Sequence, residues 1–151
     1  MKNHLLEQFS ATFDKKQWFV SLRDAVQGLT DSEARQKLAA DQHSIYDLVV
    51  HLIFGNDRYL HKLHGQALPK VMSNEESFRL ETDLHFDQLM VRADEVFSRW
   101  EVEIEKGLPT DKDTDWVSIL GNISLHNAYH IGQIVILRKL QHSWKKEFGV
   151  S

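Results

Sequence analysis

Two histidines four residues apart, His126 and His130, stand in the most apolar stretch of this chain. In a helix that spacing puts both rings on one face, one turn apart, where they can grip one metal ion. Their neighbours on that face are Ile119, Ile123, Ile134 and Leu137, so the imidazoles point towards a core and not towards water. A buried polar ring without a partner destabilises a fold by about 1–3 kcal/mol. Two such rings side by side also resist being protonated together. A metal ion meets both difficulties by accepting a lone pair from each ring.

Two ligands make a weak site, and His51 is the candidate for a third. It interrupts the apolar run Leu48-Val49-Val50-His51-Leu52-Ile53-Phe54, which turns its ring to the core or the core's edge. The plainer alternative stays open, since H-x-x-x-H is a common spacing and packed or surface histidines often produce it. Asn127, Tyr129 and Gln133 are placed to orient the imidazoles, with packing the stronger reading for Tyr129. Asp47, one turn before His51, is either a general base or a helix-start residue. Arg58, two turns after His51, faces an anionic group or, more simply, a surface ion pair. His61 and His64 make a weaker pair at a helix end. His4, His43, His85 and His142 read as surface residues.

These side chains need long helices to hold them, and the sequence supplies four. An apolar stripe runs from about His4 to Leu29, with its phase disturbed near Asp14 to Gln17. That disturbance predicts a kink or a break. Thr30-Asp31-Ser32-Glu33 is a capping box opening a short helix to about Ala40. Ser44 starts a second long helix that ends near His64, before Gly65. Ser73-Asn74-Glu75-Glu76 is another capping box, read as the start of a third long helix ending near Lys106, before Gly107 and Pro109. The fourth helix runs from about Trp116 to Gln141 and is apolar nearly all round, as in a helix that is central or shared with a second subunit. The expected fold is all-α, an up-and-down four-helix bundle in one domain over residues 1–151.

Composition narrows the function. The 151 residues are 42% apolar and 26% charged, an ordinary globular balance. A net charge of -4 argues against a nucleic-acid partner. The cationic cluster Arg138, Lys139, Lys145 and Lys146 reads as a solvated helix end, where cations suit the dipole. The chain has no cysteine, which excludes disulfides, thiolate ligands and a cysteine nucleophile. With no long apolar run and no signal-like start, the expectation is a cytoplasmic protein with no membrane partner.

The segment His126-Asn127-Ala128-Tyr129-His130-Ile131-Gly132-Gln133-Ile134 resembles the closing helix of the DinB/YfiT-like superfamily. So does Gln42-His43-Ser44-Ile45-Tyr46-Asp47-Leu48-Val49-Val50-His51-Leu52, and the likeness extends through Gly28-Leu29-Thr30 and Trp116. The resemblance implies a four-helix bundle, often a homodimer, with one divalent metal held by His51, His126 and His130. Zinc and nickel come first, then iron and manganese. It also implies a small-molecule substrate, since some members are S-transferases using a low-molecular-weight thiol such as bacillithiol. Others have been proposed as metal-dependent hydrolases.

Three neutral imidazoles leave open positions on an ion, where a water or a thiol would be acidified. No acidic residue adjoins His126 or His130 to serve as a hydrolytic base. That tilts the expectation towards thiol transfer, with hydrolysis second and a non-catalytic metal-binding bundle third.

Overall fold

The computed structural model describes residues 1–80, 83–110 and 112–149. Among them every regular element is helical: α1 (Lys2–Phe13), α2 (Leu22–Val26), α3 (Asp31–Arg35), α4 (Ile45–Leu63), α5 (Phe86–Lys106) and α6 (Trp116–Leu140), with two 3₁₀ turns, Glu75–Phe78 and Lys146–Phe148. The expected all-α class is what is found, in the form of a helical bundle. The chain divides into two compact units, residues 1–27 with 98–151, and residues 28–97.

In the first unit α1 packs along α6. Phe9, Phe13, Trp100, Leu120 and Ile134 are buried there. Ser10 donates to the Glu101 carboxylate, fixing α1 to the C-terminal half of α5. The expected disturbance near Asp14 is a full break. Helix α1 stops at Phe13, and a new helix starts only at Leu22, where the Ser21 hydroxyl accepts from the Asp24 N–H at 3.2 Å. The break turns Trp18 out to solvent and leaves Phe19 partly exposed, so Phe19 does not continue the stripe of Leu22 and Val26.

Arg138 is not part of a solvated helix end, as its place in the cationic cluster suggested. It is 2% exposed. One terminal nitrogen donates to the carbonyls of Ala25 and Gln27 at 2.9 Å each, and the other to the Ser143 carbonyl at 2.8 Å. The guanidinium also lies over the Trp144 and Phe148 rings. It satisfies the carbonyls at the end of α2, which have no partner within that short helix.

In the second unit both capping boxes at Thr30 and Ser44 are complete. The helix from Thr30 ends at Arg35, short of the expected Ala40. The box at Ser73 opens only the 3₁₀ turn Glu75–Phe78, and the third long helix starts at Phe86. Residues 81 and 82 of the expected longer helix lie outside the described residues. Helix α5 takes its first support from α3: the Phe86 N–H donates to Asp31 Oδ1 at 2.7 Å, while Asp31 Oδ2 accepts from Arg35 Nε at 2.9 Å. Burial acts to raise the Asp31 pKa, but these hydrogen bonds and the Arg35 charge outweigh it and the pKa is lowered.

Arg35 in turn donates to the Leu84 carbonyl, stacks on the Tyr46 ring at 3.9 Å, and shares that carbonyl with the Tyr46 hydroxyl. This polar knot fixes the first turn of α4, the helix that carries His51. Ser44→Ala therefore removes the acceptor for the Asp47 N–H, and unfolding in urea should show a loss of about 1 kcal/mol. An unchanged midpoint would mean that Tyr46 and Arg35 alone hold the helix start.

Candidate metal centre

Helix α6 has no polar face because it meets three demands at once. Leu120, Ile131 and Ile134 are buried, Leu125, Tyr129 and Ile136 are exposed, and the histidines lie between. His130 is buried and His126 half-buried. Their Nε2 atoms face one another at 3.1 Å, with the ring planes at 79°.

The His130 tautomer follows from its other contact. Nδ1 is 2.6 Å from Gln133 Oε1, an amide oxygen that can only accept. Nδ1 therefore carries the proton, and Nε2 presents a bare lone pair to His126. Two ring nitrogens this close must share a proton or a cation. Two nitrogens each about 2.0–2.1 Å from a tetrahedral zinc stand about 3.3 Å apart. The observed pair needs little movement to meet that geometry, so these residues fit a divalent ion.

Of the three side chains expected to orient the rings, Gln133 touches one directly. Tyr129 packs edge-on against His130, with centroids 5.0 Å apart, and its hydroxyl lies 3.5 Å from Gln133 Nε2. Asn127 is fully buried and meets Thr12 on α1 through its amide nitrogen at 3.4 Å.

In the other unit His51 is 7% exposed, in the middle of α4. Its Nδ1 is 2.7 Å from the Ser77 hydroxyl, and its ring lies flat on Phe78 at 3.9 Å. The far face of Phe78 is covered by His43, again at 3.9 Å and nearly parallel. His43, expected at the surface, is half-buried and packed. Spacing arguments missed Ser77 and Phe78, since the only local signal there is the cap at Ser73.

The acidic residues that flank His51 along α4 are occupied elsewhere. Asp47 Oδ2 accepts from the Ser44 N–H at 2.9 Å and lies 3.5 Å from Lys37 Nζ, as a helix-start residue should. Asp57 lies beside His61 at 3.4 Å. Arg58 donates to the Pro69 carbonyl at 2.6 Å and so ties down the loop after α4.

A helical protein with paired, inward-turned histidines on its last long helix is the class these features define. The chain matches the DinB superfamily over residues 18–142 and belongs to that superfamily. No significant match was found among curated proteins or solved structures. Among the described residues, no helix is long and apolar enough to cross a membrane.

Burial, and then the neighbouring His130, lower the His126 pKa from 6.5 to about 4. Unfolded chain thus binds this proton more readily than folded chain. The stability contributed by neutral His126 is intact above pH 6.5 and is lost as the pH falls towards 4. The melting temperature of metal-free protein should fall through that window, and His126→Gln should flatten the slope. A slope indifferent to the substitution would place the acid sensitivity on other groups.

Proposed function

We propose that His51, His126 and His130 together hold one divalent transition-metal ion, and that the protein is a metal-dependent S-transferase acting on small electrophiles. The observation that carries the reading is the His126–His130 pair, whose Nε2 atoms stand 3.1 Å apart, with His51 the further buried histidine, 7% exposed. Membership of the DinB superfamily supports it. Imidazole ligands suit zinc or nickel, with iron or manganese as alternatives. A closed structural site normally has four protein ligands, so a three-histidine set favours chemistry over scaffolding.

A bound ion of this kind supplies Lewis acidity, which lowers the pKa of a thiol or water in its open position. The chain's own residues supply the rest. His130 and Gln133 hold a bare nitrogen inward, and the burial of His126 keeps that ring neutral at physiological pH. The engagement of Asp47 with its cap and Lys37 favours thiol transfer over hydrolysis, because hydrolysis wants a carboxylate base at the ion. The chain has no cysteine, so the thiol is a separate low-molecular-weight cosubstrate of the bacillithiol type. In the transfer the thiol S–H loses its proton to solvent, sulfur forms a bond to the electrophilic carbon, and the bond from that carbon to the leaving group breaks, the leaving group taking the electron pair. A reducing, cytoplasmic address accords with such a cosubstrate.

We also propose a homodimer formed through α6. Leu125, Tyr129, Ile136 and Leu140 are each more than half exposed along it. Among the described residues, a Cβ added at Gly121 or Gly132 would meet nothing within 4 Å, so a second backbone can approach closely there.

Elemental mass spectrometry of untagged protein should find about one first-row metal per chain, lost in a His126→Ala/His130→Ala variant. Protein that stays metal-free after incubation with zinc and nickel would sink the metalloenzyme reading. Light scattering should give a dimer for wild type and a monomer for Leu125→Glu/Ile136→Glu. A monomeric wild type would remove the dimer.

A further inference from the structure

We propose that Ser77 is a positioning residue: its hydroxyl locks His51 in the tautomer that carries its proton on Nδ1 and leaves Nε2 bare. The Ser77 oxygen lies 2.5 Å from the Asn74 carbonyl and 2.7 Å from His51 Nδ1. A carbonyl oxygen has no proton to give, so at 2.5 Å the single hydroxyl proton must point at Asn74. The hydroxyl then has only lone pairs for His51, and Nδ1 must be the donor. One proton on a neutral ring fixes the other nitrogen as the acceptor.

The 3₁₀ turn that carries Ser77 also sets the ring's plane. Phe78, the next residue, lies parallel to His51 at 3.9 Å and 3°. His43 backs Phe78 on its far side at 6°, and its Nε2 lies 3.5 Å from Glu75 on the same turn. Hydroxyl and aromatic ring thus fix both the tautomer and the tilt of His51 from one four-residue element. Gln133 does the same for His130 by a different route, an amide oxygen in place of a hydroxyl. In both cases Nδ1 is tied as the donor and Nε2 carries no proton.

This deepens the metal-site reading and rests on it for its consequence: an unheld His51 would spend part of its time with a proton on the nitrogen meant for the ion. The tautomer itself can be read without metal. In metal-free, full-length protein labelled with ¹⁵N-histidine, the His51 signals are identified by their absence in His51→Gln. Wild type should show a protonated Nδ1 and a bare Nε2. Ser77→Ala should mix the tautomers, and Ser77→Thr, which keeps the hydroxyl, should restore the wild-type pattern. In chelator competition Ser77→Ala should bind zinc about 10–100-fold more weakly, with Ser77→Thr recovering most of the loss. A wild-type His51 protonated on Nε2, or a tautomer unmoved in Ser77→Ala, would overturn the assignment. Failure of the metal reading would register separately, as absence of zinc binding in wild type.

Discussion

A neutral imidazole has two nitrogens and one proton, and burying it forces a decision about where the proton goes. In water either tautomer is solvated and the choice is unimportant. Inside a fold, a nitrogen that meets nothing destabilises the structure by about 1–3 kcal/mol, and a second proton is resisted by both desolvation and neighbouring charge. His51 and His130 resolve the decision in the same sense. Each gives its Nδ1 proton to an oxygen supplied by the fold, Ser77 in one case and Gln133 in the other. What is left is a lone pair directed at its surroundings, the electronic form a metal ligand requires. Much of the local structure around these rings can be understood as what keeps those two oxygens in place.

For His130 the support is cheap, because Gln133 is one helical turn away and arrives with the helix. For His51 it is not local at all. Ser77 lies 26 residues further on, in a turn whose position depends on how the chain leaves α4 and returns. Arg58 ties the Pro69 carbonyl early in that excursion, and the Ser73 hydroxyl accepts from the Glu76 N–H to shape the turn. The Phe78 ring, clasped between two histidines, anchors the turn to α4 by stacking. A segment with little regular structure is thus held by a few directional contacts, as a positioning element without a helix of its own must be.

This difference explains what was legible in the sequence. Features that depend on near neighbours could be read: the capping boxes at Thr30 and Ser44, the stop at Gly65, and the His126–His130–Gln133 relation. A capping box, however, records only that a helical turn starts. It says nothing of how long the turn continues, and so the box at Ser73 predicts a long helix where the structure has a 3₁₀ turn. Ser77 and Phe78 owe their roles to contacts far along the chain, which no periodicity encodes. Arg138 misled for a related reason. Its neighbours Lys139, Lys145 and Lys146 suggest solvent, but the free carbonyls it serves belong to α2, more than a hundred residues earlier.

Helix α6 shows how one element can lose its amphipathic signature without being unstable. A helix with a single buried face sorts apolar from polar residues by angle. Here one arc is core, a second carries inward-turned histidines, and a third is an apolar stripe through Leu125, Tyr129 and Ile136 that remains open to solvent. Apolar surface of that extent on a polar protein is unfavourable unless something covers it. The glycines at 121 and 132 bear on this, because each removes about 1 kcal/mol of helix stability relative to alanine. Neither is required by a positive φ or, among the described residues, by a close neighbour. Two destabilising residues on a long helix call for a compensating gain, and close approach of another backbone is the gain that glycine can offer and alanine cannot.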